Sequence, residues 1–253
     1  MKNKTKIVVA LAFAAVIGVS AEGAVKYSQA KNFKVNLPEN FTLTAHTGCE
    51  GTEDNSLEAI KVGYEKGADI VEFDLNFDAS GMPVLSHDEA ENNSVALEEA
   101  FKFIGEYDSL KVNVDCKKTD NLKAVVTLSE KYGVRDRIFY TGIEEKDIPA
   151  VKEQTPDVEY YLNVPEKEIG QDEKSLSALA DKVKSLGAVG INMKYTRCSA
   201  KLVEIFHSKG LLVSVWTVNS KSAMRRILPL GVDNITTRHP SDILELIKSK
   251  TEK

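Results

Sequence analysis

The sequence predicts a (β/α)8 TIM barrel, an α/β fold in which parallel strands close into a barrel surrounded by helices. The 253 residues suit one such domain, which typically needs about 250 residues. From Phe41 onward, short β-rich runs alternate with amphipathic helical patterns. Strands that alternate with helices indicate parallel pairing through right-handed crossovers. A doubly wound open sheet is the alternative, but no glycine-rich phosphate loop follows the first strand.

The predicted elements follow one another in strand–helix order. The strands are Phe41–His46, Ile70–Asn76, Lys111–Cys116, Arg137–Tyr140, Val158–Asn163, Gly187–Met193, Leu211–Val218 and Asn234–Thr237. The helices are Ser56–Lys66, Val95–Tyr107, Asn121–Tyr132, Glu145–Gln154, Ser175–Ser185, Ala200–Ser208, Ser222–Leu230 and Ser241–Lys250. Eight such units are the number that closes a barrel.

One run breaks the alternation. Residues 77–81, Phe-Asp-Ala-Ser-Gly, have turn chemistry, and no helix fits between the second strand and residues 82–88. We therefore predict a β-hairpin at the mouth of the barrel. Asp74 and His87 are about equally far from the turn, so antiparallel pairing would bring them close together. They would lie at the carboxyl end of a barrel strand, where barrel active sites are found.

The N-terminal segment is predicted to lie outside the fold. Residues 1–21 combine a basic start with an apolar run and small residues, which is typical of a signal peptide or an N-terminal anchor. We assign 22–40 to a linker and 41–253 to the barrel domain. The body is expected to be exported, either secreted or membrane-anchored on the extracytoplasmic side, with possible membrane surface association through the N-terminus.

The composition limits the classes of partner and cofactor that the protein is predicted to bind. The net charge of -5 argues against a nucleic-acid partner, because such proteins normally carry a basic face. Cys49, Cys116 and Cys198 are odd in number and match no zinc module. We expect buried thiols, although an exported protein could oxidise one pair. The oligomeric state is left open.

Acidic residues interrupt the predicted strands in a regular way. Glu72 and Asp74 are two residues apart, so their side chains point to the same face of a strand, and Asp115 and Lys117 repeat this spacing. Burying an unpaired charge inside a barrel costs free energy, so this cluster of carboxylates requires a compensating positive charge. Glu72, Asp74 and Asp115 offer hard oxygen ligands that suit Ca²⁺ or Mg²⁺.

Two histidines and a lysine complete the predicted site. His46 ends the first strand and His87 ends the hairpin, and the two would act as acid and base on opposite sides of a phosphorus centre. Lys117 supplies a cation for a phosphate oxygen. The metal would polarise the phosphoryl group and neutralise charge in the transition state.

For several other polar residues, a structural role is as strongly indicated as a role in the site. Asp88 caps a turn or belongs to the site, and Asp54 serves as the N-cap of the following helix or as a site residue. Trp216 packs in the core or contacts substrate. His207 and His239 are expected at the surface without a role.

Six ordered motifs carry a resemblance to a known family. They are Ala-His-Thr-Gly at 45–48, Glu-Asp-Asn-Ser at 53–56, Gly-Ala-Asp-Ile-Val-Glu-Phe-Asp at 67–74, Gly-Met-Pro-Val-Leu-Ser-His-Asp at 81–88, Asn-Val-Asp-Cys-Lys at 113–117 and Val-Trp-Thr-Val-Asn at 215–219. Together they resemble the glycerophosphodiester phosphodiesterase family. The resemblance implies a TIM barrel of the PLC-like phosphodiesterase type and a small-molecule phosphodiester substrate.

The resemblance also implies an activity and residue roles. It implies hydrolysis of glycerophosphodiesters to an alcohol and glycerol 3-phosphate, with His46 and His87 as the acid/base pair. By the same resemblance, three carboxylates hold a divalent cation and Lys117 contacts phosphate; the carboxylates are Glu72, Asp74 and Asp115.

The chain departs from the family pattern at three places. Thr47 stands where the family has an arginine that contacts phosphate, and Arg238 stands where an aspartate is usual. Thr47 and Trp216 are predicted as candidate substrate-binding residues. The segment 89–94, after the hairpin, is short. These departures predict a more open site with altered substrate choice.

Two other functions fit the same motifs. One is a phosphodiesterase of the same fold that acts on a phospholipid or a teichoic-acid-like polymer. The other is an inactive barrel that binds a phosphorylated ligand. The presence of both histidines and all three carboxylates argues against this alternative.

Overall fold

A computed structural model describes residues 33–91 and 93–251 of the chain. The predicted signal peptide or anchor at 1–21 lies outside the described residues, so export stays a prediction. The described part of the predicted linker, 33–40, packs on the barrel: Phe33, Val35 and Leu37 contact the core, and Asn36 N donates to Leu228 O at 2.9 Å. No helix within the described ranges is long and apolar enough to cross a membrane.

Eight parallel strands form a closed barrel, which confirms the predicted fold. The barrel strands are β1 Thr42–Ala45, β2 Ile70–Phe77, β5 Lys111–Cys116, β6 Ile138–Ile143, β7 Tyr160–Asn163, β8 Gly190–Lys194, β9 Leu212–Trp216 and β10 Asn234–Thr237. Each pairs with the next in this order, and β1 closes the ring by pairing with both β2 and β10.

Helices alternate with the strands at the predicted places. They are α1 Leu57–Glu65, α2 Leu97–Ile104, α3 Leu122–Lys131, α4 Ile148–Gln154, α5 Glu173–Leu186, α6 Ala200–Ser208, α7 Lys221–Ile227 and α8 Pro240–Thr251. Several begin at a polar side chain that accepts a backbone N–H of the first turn and so satisfies a donor that the helix leaves free. The capping residues are Ser56, Asn121, Asp172, Ser199 and Ser220.

The predicted hairpin at the barrel mouth is present. Strand β3, Pro83–Leu85, pairs antiparallel with the end of β2. Asp78 closes the turn, because its Oδ1 accepts the N–H of Ser80 at 2.8 Å and of Met82 at 3.0 Å. Ser86 N donates to Asp74 O at 3.0 Å, so His87 follows directly on the residue opposite Asp74.

The structure corrects one predicted boundary beside the hairpin. Val95 and Ala96, predicted as the start of a helix, form a short strand, β4, that pairs antiparallel with β3. Helix α2 therefore begins at Leu97. The backbone groups of Val95 and Ala96 are used by Leu85 and Val84, and this long-range pairing overrides the local helical pattern.

Candidate active site

A cavity of about 500 Å³ opens at the carboxyl ends of the barrel strands and reaches into the barrel interior. The predicted site residues come from separate loops and strand ends, yet all of them line this cavity. They are His46, Thr47, Glu72, Asp74, His87, Asp115, Lys117 and Trp216. The barrel topology therefore assembles the whole predicted set in one place.

The three acidic residues converge on the wall made by β2 and β5. Asp74 and Asp115 are direct neighbours in the parallel register, and Glu72 precedes Asp74 by two residues on the same face. One oxygen of each carboxylate lies within 4.8 Å of the others. Burial and the charges of Asp74 and Asp115 raise the pKa of Glu72 well above its ordinary value. The cluster thus concentrates negative charge that its surroundings only partly compensate.

Lys117 lies among these carboxylates. Its Nζ is 2.8 Å from Asp74 Oδ1 and forms a second ion pair with Asp115 Oδ2. Burial alone would lower the pKa of Lys117, but the two carboxylates outweigh it and raise this pKa. Lys117 therefore stays protonated and partly balances the cluster.

The loop after β1 orients two of the carboxylates. Thr47 N donates to Glu72 Oε2 at 2.8 Å. Asn55 Nδ2 donates to Asp74 Oδ2 at 2.9 Å, and Asp74 N donates back to Asn55 Oδ1 at 2.9 Å. The Thr47 hydroxyl accepts the backbone N–H of Asn55 in a short hydrogen bond. Asn55 was not predicted as a site residue, although it lies in the motif Glu-Asp-Asn-Ser at 53–56.

His46 is held in one orientation. Its Nδ1 donates to Thr47 O at 2.9 Å and lies 3.8 Å from Glu72 Oε2. In the neutral ring, this hydrogen bond places the proton on Nδ1 and leaves Nε2 as an acceptor. Burial lowers the pKa of His46, which favours the neutral ring at neutral pH.

His87 lies at the rim of the cavity. Its side chain is 67% exposed, and Nδ1 is hydrogen-bonded to Asp88 Oδ1 at 3.0 Å. The side chain of Asp88 therefore contacts the imidazole, while its carbonyl oxygen accepts a short hydrogen bond from Asn76 Nδ2. Asp88 itself does not line the cavity and its side chain is 94% exposed, so its two predicted roles both stay open.

Of the two roles predicted for Asp54, the capping role is wrong. The N-cap of α1 is Ser56, whose hydroxyl accepts the N–H of Ala59 at 3.1 Å. Asp54 instead forms a bidentate ion pair with Arg238, with 2.6 Å between Nη1 and Oδ1. The hydrogen bond from Arg238 lowers the pKa of Asp54. Both residues line the cavity, and no local sequence pattern indicates the pair.

Trp216, at the end of β9, forms part of the opposite wall. Its ring centre is 5.8 Å from Lys194 Nζ. The indole Nε1 is buried and has no hydrogen-bond partner among the described residues. A buried indole N–H usually finds a partner, so this donor is left unsatisfied in the wall of the cavity.

Histidines and converging carboxylates at the carboxyl face of a closed (β/α)8 barrel have the placement of an enzyme active site. The sequence model of the Glycerophosphoryl diester phosphodiesterase family matches residues 37–99 and 89–242. The chain belongs to this family and is a phosphoric diester hydrolase.

Individual relatives agree with this assignment. The chain is 24% identical over 245 residues to the glycerophosphodiester phosphodiesterase of Caldanaerobacter subterraneus subsp. tengcongensis, an alignment that covers 81% of this chain and 97% of the relative. A glycerophosphodiester phosphodiesterase structure from Parabacteroides distasonis matches with a TM-score of 0.69 at 19% identity, over 86% of this chain and 99% of the other. An Oleispira antarctica phosphodiesterase, solved in complex with sn-glycerol-3-phosphate, matches with a TM-score of 0.67 at 18% identity, over 86% and 98%. At these identities the structures show the shared fold.

Proposed function

We propose that the protein hydrolyses glycerophosphodiesters to an alcohol and glycerol 3-phosphate with the help of Ca²⁺ or Mg²⁺. The observation that carries the proposal is the convergence of Glu72, Asp74 and Asp115 in the cavity that also contains His46 and His87. The names of the relatives and the sn-glycerol-3-phosphate bound to the Oleispira antarctica enzyme support this substrate class.

The acidic cluster fits a hard divalent cation. Its donors are all carboxylate oxygens, the ligand type that Ca²⁺ and Mg²⁺ prefer. The raised pKa of Glu72 reflects a buried negative charge that Lys117 does not fully offset. When bound, the cation would polarise the phosphoryl group and neutralise the charge that develops on it.

The two histidines differ in ways that suit different roles. His46 is half-buried, and its Nε2 is left to accept a proton, so it serves as the base for the attacking water. His87 is exposed at the rim beside Asp88, so it serves as the acid that protonates the departing alcohol. A bond forms from the water oxygen to phosphorus while the bond from phosphorus to the alcohol oxygen breaks. Lys117 and Trp216 are the proposed contacts to the substrate. Thr47 is a weaker candidate, because its hydroxyl accepts the Asn55 N–H and donates to Asn55 Oδ1 at 3.4 Å.

Release of glycerol 3-phosphate tests the proposal. The full chain would be incubated with glycerophosphocholine, glycerophosphoethanolamine and glycerophosphoinositol in Ca²⁺, in Mg²⁺ and in chelator. We expect cation-dependent release that falls at least ~100-fold in His46→Ala and in His87→Ala, the usual scale for loss of an acid or base. His239→Ala removes an exposed histidine that does not line the cavity and should have no effect.

Two results would contradict this function. Release that persists in chelator would exclude the cation from the reaction. Absence of release from every diester by the folded protein would exclude glycerophosphodiesters as its substrates, and assays with lysophospholipid and with a glycerol phosphate polymer would then separate the remaining candidates.

A further inference from the structure

Arg238 follows β10 and lines the cavity. Its Nη1 and Nη2 donate to the two carboxylate oxygens of Asp54 at 2.6 and 3.0 Å, and Nη1 lies 3.5 Å from Gly48 O. A guanidinium has five N–H donors. The Nε–H and the second N–H of Nη2 lie along one edge of the group and have no partner among the described residues. Arg238 therefore presents a two-donor fork to a ligand.

The chain makes room for this ion pair beside His46. Gly48 lies two residues after His46 and has a φ of 69°. A Cβ atom at Gly48 would overlap both Asp54 Oδ1 and Arg238 Nη1. The glycine thus allows the guanidinium to approach the loop that carries His46.

The charge of Arg238 acts on the reaction site itself. Burial lowers the pKa of His46, and the nearby positive charge of Arg238 lowers it further. The hydrogen bond to Asp54 raises the pKa of Arg238, with smaller contributions from the charges of Glu72 and Asp74. Arg238 is therefore electrostatically coupled to both His46 and the carboxylate cluster.

The other cations that line the cavity are already paired. Lys117 Nζ is 2.8 Å from Asp74 Oδ1 and also pairs with Asp115. Lys146 Nζ is 2.9 Å from Glu144 Oε2. Arg238 is also paired, but the planar guanidinium can bind Asp54 along one edge and a phosphate along another, which an ammonium does not match.

We propose that Arg238, positioned by Asp54, is a phosphate-binding residue whose free edge donates to the non-bridging oxygens of the substrate phosphodiester. The inference rests on the proposed function and deepens it. Thr47 is a poorer donor for this contact, because its hydroxyl accepts the backbone N–H of Asn55 and donates to Asn55 Oδ1 at 3.4 Å. The proposal adds a phosphate contact, from the residue that follows the last barrel strand, to the contact proposed for Lys117.

Binding of inorganic phosphate and of glycerol 3-phosphate, measured by calorimetry on the full chain with Mg²⁺ or Ca²⁺, tests the inference without turnover. Arg238→Met should weaken both affinities on the order of 10- to 100-fold, the loss expected for a charge-assisted bidentate contact, and raise KM for a glycerophosphodiester. Arg238→Lys should lie between the two proteins. Asp54→Asn should weaken binding less than Arg238→Met, because the arginine remains. Arg225→Met, a half-buried α7 arginine outside the cavity, is the matched control.

Phosphate affinity of Arg238→Met that equals wild type, with only a lowered melting temperature, would overturn the inference and leave a loop-anchoring role. If Arg238→Met does not fold, wild-type affinity in Arg238→Lys would overturn it equally. A wild-type protein that binds phosphate but releases no glycerol 3-phosphate would contradict the proposed function alone. The affinity difference between wild type and variants would still decide the role of Arg238.

Discussion

Glu72 is a buried carboxylate with two negative neighbours. It is 5% exposed, and the hydrogen bond from Thr47 N at 2.8 Å is its main local compensation. Burial first, and then Asp74 and Asp115, raise its pKa well above the ordinary value. Without a cation, the ionised side chain therefore opposes folding.

Replacement of Glu72 by a neutral residue should therefore stabilise the metal-free protein. Because the folded-state pKa of Glu72 is raised, the contribution of this group to the stability of the metal-free protein is fully present below its unfolded pKa and is lost as pH rises through its folded pKa. In chelator, Glu72→Gln should increase the free energy of unfolding by ~1–3 kcal/mol at pH 8, with a smaller gain at pH 4. Urea titrations at both pH values measure this difference.

Two comparisons make that measurement specific. Glu58→Gln, an exposed glutamate in the first turn of α1, should change stability little. Excess Ca²⁺ or Mg²⁺ should stabilise wild type more than Glu72→Gln, because a cation ligand has been removed. A Glu72→Gln protein that is less stable than wild type in chelator would show that the buried charge is fully compensated.

Strand β6 contains an irregularity beside the acidic cluster. Its register with β7 shifts between Tyr140 and Ile143, and Gly142 within this stretch has a φ of 73°. Gly142 N donates to Asn163 Oδ1 at 3.1 Å. A Cβ atom there would overlap the backbone of Cys116, so the bulge requires glycine.

Gly142→Ala should therefore be more harmful than an ordinary glycine replacement. We expect a loss of about 2–4 kcal/mol in the free energy of unfolding, from the left-handed backbone and the clash together. Gly81→Ala is the matched control, because Gly81 has a φ of 83° with nothing within 4 Å of its added Cβ. It should cost only about 1 kcal/mol. Equal losses in the two variants would show that the strand relaxes around the added methyl group.

Across the whole molecule, the three cysteines are free and buried. They follow different barrel strands: Cys49 lies after β1, Cys116 ends β5 and Cys198 lies after β8. Burial raises the pKa of Cys49 to about 11 and of Cys198 to about 12, and it raises the pKa of Cys116 well above its ordinary value. The reactive thiolate is therefore scarce at neutral pH.

A thiol titration checks this arrangement. Without reductant, the native protein should react slowly with a thiol reagent, and all three cysteines should react after denaturation. Loss of two thiols from the denatured count would indicate a disulfide pair. That result would require movement of the strands that separate these residues.

Hydrogen bonds between buried polar side chains join several strands inside the barrel. Ser214 on β9 lies 3.0 Å from Asn192 on β8 and 3.1 Å from Asn234 on β10, measured between Oγ and each Oδ1. Thr141 on β6 donates to Asn113 and Asp115 oxygens at 2.8 and 2.7 Å. These hydrogen bonds compensate the burial of the Ser214 and Thr141 hydroxyls inside the barrel.

The fold and the acidic cluster follow from the sequence alone because they depend on local periods. Strand–helix alternation predicts the barrel, and two-residue spacing places Glu72 with Asp74 on one face. The carboxyl ends of the strands converge in any such barrel, so residues at strand ends are expected to meet there.

Other features depend on contacts between distant parts of the chain. Asp54 and Arg238 are 184 positions apart, and no local period joins them. Val95 and Ala96 form a strand because β3 lies beside them, and Ser56 rather than Asp54 caps α1 because its hydroxyl reaches Ala59 N. The sequence by itself determined the barrel and the positions of its strand-end residues, whose geometry repeats along each element. The tertiary structure alone decided the pairing of Arg238, since side-chain partners depend on distances that only the closed barrel sets.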